Sequence, residues 1–136
     1  MSQITNFCIA ECKRQNDLTP EAVGQMVEAV FYAQNEQFQL TLENIKMLGE
    51  IVKPQNKTFR TTPVVFQNGN QGAPYIRIPF LIASLCEAGF NLSADEFYYE
   101  FEKIHPFEDG NGRVGAIIWN YMRDFLNNPI LPPDMF

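Results

Sequence analysis

The sequence predicts a mainly α fold: one domain built as a bundle of about six helices with a single small β-hairpin. Three observations lead there. Six stretches space apolar residues as a helix does, two of them opened by strong capping signals. Only Thr58 to Phe66 gathers β-branched and aromatic residues as a strand does. The 136 residues, 46% of them hydrophobic, hold material for one core, and no repeat, low-complexity segment or linker divides them.

The elements follow in order. Ser2 to about Gln15 is weakly amphipathic, with Ile4, Phe7, Cys8 and Cys12 at helical spacing. Thr19-Pro20-Glu21 opens a second helix, with Thr19 as N-cap, Pro20 at the first position and Glu21 at the positive end of the dipole. Val23, Met26, Val27, Val30 and Phe31 then form its expected buried stripe. A third pattern runs from Leu40 through Leu42, Ile45 and Leu48 to Ile51 or Val52, ending before Pro54. Thr58 to Phe66, a Gln67 to Gly72 turn and Tyr75-Ile76 predict an irregular hairpin with an edge open to a partner. After Pro79 a helix through Phe80, Leu81, Leu85 and Cys86 stops at Gly89, read as a C′ residue. Ser93-Ala94-Asp95-Glu96 is a capping box for a fifth helix that turns Phe97, Phe101 and Ile104 inward and is ended by Pro106. A sixth begins near Asn111 or Gly112 with Val114, Ile117, Ile118, Tyr121, Met122 and Phe125 as its apolar face. The tail from Pro129 to Phe136 is nonhelical.

Composition narrows the function. Ten cations against sixteen acids give −6, which disfavours broad phosphate neutralisation, so no nucleic-acid partner is expected. Residues 69–136 alone carry four cations and nine acids, a balance of −5. Most of those acids belong to a solvated helix face. Three cysteines, Cys8, Cys12 and Cys86, are an odd number without a regular framework, so with the single histidine a four-ligand zinc site is not expected and they read as reduced thiols in a cytoplasm. The N-terminus lacks the basic and apolar regions of a signal peptide, and no run of 18 apolar residues occurs, so neither membrane nor secretion is expected.

The informative stretch is Ile104 to Arg113, I-H-P-F-E-D-G-N-G-R: a helix end, a glycine loop and a new helix start. Gly110 and Gly112 permit positive φ and close backbone approach, and the following helix offers unpaired N–H groups to a phosphate. Asn111 adds a neutral donor, Arg113 a planar cation, and Asp109 a carboxylate able to hold a divalent cation. His105, the only histidine, can accept a proton near pH 7. Taken one at a time these residues read as ordinary turn and helix-end signals. A calcium loop is excluded, because Arg113 stands at a ligand position and Asn120 replaces the bidentate acid.

Together, H-P-F-E-D-G-N-G-R resembles the signature of Fic-domain proteins, H-x-F-x-[DE]-G-N-G-R-x-x-R, at nine consecutive positions. Phe59 to Phe66 is similar to that family's β-hairpin flap, and the resemblance spans about residues 41–126 of a single domain over 1–136. It implies transfer of AMP from ATP, or of another nucleoside monophosphate or phosphate-linked group, to a Ser, Thr or Tyr hydroxyl of a target protein. His105 would be the general base and Asp109 would hold magnesium. Gly110, Asn111, Gly112 and Arg113 would stabilise the phosphates, Asn111 and Arg113 counting with His105 as catalytic, and Phe107 would anchor the loop. Thr61, Thr62, Val64, Val65 and Phe66 would dock the target by strand addition. Glu108 falls at the motif's variable position and receives no role.

The chain departs from the family at two points. The last motif arginine should stand at position 116, which is Ala116. Arg123, seven residues or about 10 Å farther along the helix, is too far to substitute. An exposed position there would accept Ala116→Arg and so strengthen an ATP site. No match to the inhibitory [ST]-x-x-x-E-[GN] pattern occurs; Gln39 to Asn44 is the nearest string and belongs to core packing. Three readings follow: an enzyme with another donor or a weak ATP reaction, a form regulated by a separate inhibitor or antitoxin chain, and a catalytically silent adaptor that binds partners through the flap edge.

Overall fold

The computed structural model describes residues 2–134. Among these residues there are six α-helices: α1 Gln3–Arg14, α2 Pro20–Gln34, α3 Leu42–Val52, α4 Ile78–Ala88, α5 Ala94–Ile104 and α6 Asn111–Met122, with 3-10 turns at Tyr75–Arg77 and Gly89–Asn91. The caps act as the sequence predicts. Thr19 Oγ1 accepts from the Ala22 N–H at 3.0 Å. At α5, Ser93 Oγ accepts from Glu96 N–H at 3.0 Å while Glu96 Oε1 accepts from Ser93 N–H at 2.8 Å. Each such cap stabilises its helix by about 1 kcal/mol.

The centre of the bundle is α6, which packs against α1, α2, α3 and α5. Every residue from Arg113 to Asn120 is buried, so α6 has no solvent face to reserve for polar side chains. Asn120 uses its buried amide to hold the tail: Nδ2 donates to Ile130 O at 2.9 Å and Oδ1 accepts from Ile130 N–H at 3.0 Å. Among the described residues no helix is long and apolar enough to cross a membrane.

Two expectations about packing faces and one about a helix end change. In α2 the buried face is Ala22, Met26, Ala29, Val30 and Ala33, whereas Phe31 is 58% exposed. Alanine lets neighbouring helices approach closely, and that close contact turns the larger residues to the margin. In α4 the buried residues are Ile78, Ile82 and Leu85, leaving Phe80 65% exposed. Gly89 has φ −56° and continues into a 3-10 turn instead of closing α4 in a left-handed cap.

The β-hairpin is not formed. Among the described residues there is no strand, only one antiparallel bridge between Val65 and Gln71. Residues 60–73 make a hairpin-shaped loop closed by Phe66 N–H to Asn70 O at 2.7 Å and Gly72 N–H to Val64 O at 2.9 Å. Tyr75 and Ile76, expected on the return strand, lie in a 3-10 turn. Pro63 and Pro74 supply no N–H to a ladder. The carbonyls of Thr62 and Ala73 accept from the Arg60 guanidinium at 2.8 and 2.6 Å. Thr61, Thr62, Val64, Val65 and Phe66 therefore belong to a loop, with Val65 63% exposed on it.

A charged cluster sits where α1 meets α5 and α6. The Glu11 carboxylate, fully buried, lies 2.7 Å from Arg14 Nη2 and accepts from Gln15 Nε2 at 2.6 Å. Glu102 enters the same contact from α5, and its Oε1 is buried without a hydrogen-bond partner among the described residues. Burial first, and the nearby Glu11 second, push the Glu102 carboxyl up from 4.5 to about 7, with Arg14 pulling the other way. Between those two values the folded chain binds the extra proton. Its contribution to stability is complete below about 4.5 and is lost as pH rises through about 7. Glu102→Gln is expected to flatten this fall and to raise stability at about pH 8. Urea titrations at about pH 5 and pH 8 check it; an unchanged slope would remove Glu102 as its cause.

Candidate active site

The site begins where α5 stops. Pro106 cannot continue the helix, and His105 closes it in the left-handed conformation, φ 52° and ψ 65°, with its N–H donating to Phe101 O at 3.0 Å. A histidine tolerates that region better than most residues with a Cβ. Its ring meets Phe66 edge-on with centroids 5.0 Å apart, so the 60–73 loop lies against the imidazole. Burial first, then the Arg60 charge, lowers the His105 pKa below 6.5; the Glu102 backbone and Asp109 oppose the shift. The imidazole is thus held neutral near pH 7, the form that accepts a proton. Nδ1 is buried and has no hydrogen-bond partner among the described residues.

Phe107 is fully buried beside Phe59, ring centroids 5.5 Å apart. It sits directly on Gly49 of α3, where any Cβ would overlap its ring. Asn111 clamps the same residue from α6, its Oδ1 accepting from Phe107 N–H at 2.8 Å and its Nδ2 donating to Phe107 O at 2.8 Å. The Asn111 side chain, which the sequence offers as a phosphate donor, is therefore committed to loop geometry. Asn56, which carried no sequence signal, donates to Asp109 O at 2.7 Å and Gly49 O at 3.2 Å and fastens the loop to the end of α3. Gly110 precedes α6 with φ +87°, a conformation that a side chain would strain.

Among the described residues no side chain caps α6. The first-turn amides, with Gly112 between Asn111 and Arg113, are the donors an anion would meet, reinforced by the helix dipole. The Gln15 amide rests on Gly112, where a Cβ would overlap it. Arg113 is 1% exposed. Its Nη1 lies 3.0 Å from Asp17 Oδ2 and its Nη2 3.5 Å from Asp109 Oδ1. Lys53 Nζ approaches the same two carboxylates, at 3.5 Å from Asp17 and 3.3 Å from Asp109. Two cations and two carboxylates thus converge at the start of α6. Asp17 and Lys53 escaped the sequence reading because they come from an α1–α2 turn and the end of α3, distant in sequence from the motif.

Asp109 is the half-exposed member of this group, and its Oδ1 also accepts from Gly110 N–H at 2.8 Å. Among the described residues no three His, Cys, Asp or Glu side chains converge as a metal cage. One accessible carboxylate fits magnesium bound in its usual enzymic way, through one or two carboxylates with phosphate and water oxygens completing the shell.

Ala116 is fully buried. The expectation of an exposed position that accepts arginine is overturned, because α6 runs through the centre of the bundle. A separate open groove of about 720 Å³ is lined by Leu40, Cys86, Phe90, Leu92 and Met122 among others. None of His105 to Arg113 lines it, and its mostly apolar walls lack the acid–base groups of the motif loop.

The family model described as "Fic/DOC family" matches residues 27–122. No curated protein matches the chain. A crystal structure of a Fic family protein from Desulfovibrio desulfuricans G20 is similar in fold, with a TM-score of 0.64 at 23% identity over 90% of this chain and 44% of that one. The chain thus spans less than half the length of that neighbour.

Proposed function

The chain belongs to the Fic/DOC family, and on that premise we propose that it transfers AMP, or another nucleoside monophosphate or phosphate-linked group, from a nucleotide donor to a Ser, Thr or Tyr hydroxyl of a target protein. The observation that carries the reading is a half-buried His105 held five residues before Gly110 and the start of α6, with Asn111 locking the loop between them.

The chemistry divides among the chain's own groups. His105 Nε2 takes the proton from the target hydroxyl as its oxygen attacks the α-phosphorus. The bond from that phosphorus to the leaving pyrophosphate breaks, and both electrons leave with the pyrophosphate. The amides of Asn111, Gly112 and Arg113 orient the phosphate oxygens, and the buried Arg113 charge adds to the field at the helix start. Asp109 would hold magnesium, which supplies charge neutralisation to the phosphates. The 60–73 loop would present the target's extended segment to His105, with Thr61 to Phe66 as the contacting leg. The three free cysteines suit a reducing cytoplasm.

The test is a donor screen read by intact mass, with ATP, UTP, GTP and phosphocholine donors, each with magnesium or manganese. The expected result is a mass increase on the chain or an added target equal to one transferred group. No increase with any donor would withdraw the enzymic reading. A second reading, a silent adaptor, is favoured by one observation: Arg113 is closed off from solvent and paired with Asp17, while residue 116 is a buried alanine. Calorimetry separates the two, since the adaptor reading expects no heat from ATP with magnesium. A separate inhibitor chain remains compatible with the enzymic reading and would lower the mass increase when added.

A further inference from the structure

Arg60 is 3% exposed, and no carboxylate pairs with it among the described residues. A buried cation without a counter-charge is costly unless dipoles replace the water it loses. Here four carbonyls do so. Nε donates to His105 O at 2.6 Å, Nη1 to Thr62 O at 2.8 Å, and Nη2 to Ala73 O at 2.6 Å and Ile104 O at 3.1 Å. The Arg60 backbone N–H adds a bond to Pro106 O at 2.8 Å. Gly72 completes the fit, since a Cβ there would stand 3.0 Å from Arg60 Nη2 and 3.6 Å from His105 Cβ.

The acceptors fall into two groups. Ile104 and His105 are orphan carbonyls at the negative end of α5, beside the left-handed turn that aims the imidazole. Thr62 and Ala73 are the two legs of the 60–73 loop, opposite each other at its base. Only a planar fork with five donors can serve all four at once; a lysine ammonium has three and cannot match their spread.

Building on the functional reading above, we propose that Arg60 is the positioning residue of this site: its one guanidinium fixes the His105 backbone and both legs of the target-docking loop, so that the base and the loop keep a single register. The charged groups that bear on the imidazole are few. Arg60 faces it from the loop base and lowers its proton affinity, Asp109 from the motif loop raises it, and on α5 the backbone of Glu102 raises it.

Because His105 is the only histidine, one imidazole titration followed by NMR reports on it without ambiguity. The experiment compares the wild-type chain with Arg60→Gln and Arg60→Lys, with neither donor nor target present. In Arg60→Gln the His105 midpoint is expected to rise toward the ordinary 6.5. In Arg60→Lys the charge is kept, so the midpoint stays low. In both, amide exchange at Phe66 and Gly72, which close the loop, should quicken by about tenfold relative to α6 amides. The proposal is overturned by a folded Arg60→Gln whose midpoint does not move, or by a folded Arg60→Lys whose loop exchange is unchanged. If neither variant folds, Arg60 is a purely structural residue and the proposal is equally overturned. A failed donor screen would remove the enzymic reading without altering any of these outcomes.

Discussion

Ala116→Arg is expected to unfold the domain or to lower its melting temperature by about 10 °C or more, and to create no ATP site. The residue is fully buried on α6, in a run of eight consecutive buried positions. Arginine there must either displace packed helices or leave a guanidinium in the core without a partner. Overpacking costs about 1–3 kcal/mol and an unpaired buried charge about 3–5 kcal/mol, against a total stability of about 5–15 kcal/mol. At this chain length each kcal/mol moves the melting temperature by roughly 3–5 °C. Circular dichroism melts of the two proteins decide the matter. A variant that melts with the wild type and binds ATP more tightly would mean that α6 exposes position 116, contrary to the packing described above.

The second large effect concerns chemistry. His105→Asn is expected to reduce group transfer by about a hundredfold to ten-thousandfold, the usual worth of a positioned general base. Asparagine suits the test better than alanine because it also accepts the left-handed conformation that residue 105 holds, at φ 52°. The cap of α5 and the four carbonyls gathered by Arg60 should therefore survive, and stability should change by no more than about 1 kcal/mol. The paired measurement is an initial rate of labelling and a thermal melt. Retention of more than about a tenth of the rate in a folded variant would show that another group, or solvent, takes the proton.

The depressed His105 pKa and the raised Glu102 pKa illustrate why composition could not supply the electrostatics. Each shift has burial as its first cause, and burial depends on which helices meet. The same limit explains Arg113. Its place after Gly112 is plain in the motif, but its pairing with Asp17 and its near-complete burial arise from the α1–α2 turn folding over the start of α6.

By itself the sequence determined the number of the helices and where α2 and α5 start, because caps, prolines and apolar spacing act within a turn or two of the chain, whereas α6 ends at Met122, short of the Phe125 expected on its face. The Thr19 cap, the Ser93–Glu96 box and the stop at Pro106 are all local, and all stand in the structure. It also brought the histidine, the glycines and a helix start together in the motif loop, since nine adjacent residues carry it. Only the tertiary structure decided which faces are covered: Phe31 and Phe80 outward, Ala116 inward. It decided too that Thr58 to Phe66 is not a strand. β-propensity describes how side chains fit a pleated surface, and here the loop's carbonyls go to a buried arginine instead of a second strand. Local signals end at the reach of a helical turn, whereas burial, counter-charges and hydrogen-bond partners are set by residues far apart in the chain, as Arg60 is from His105.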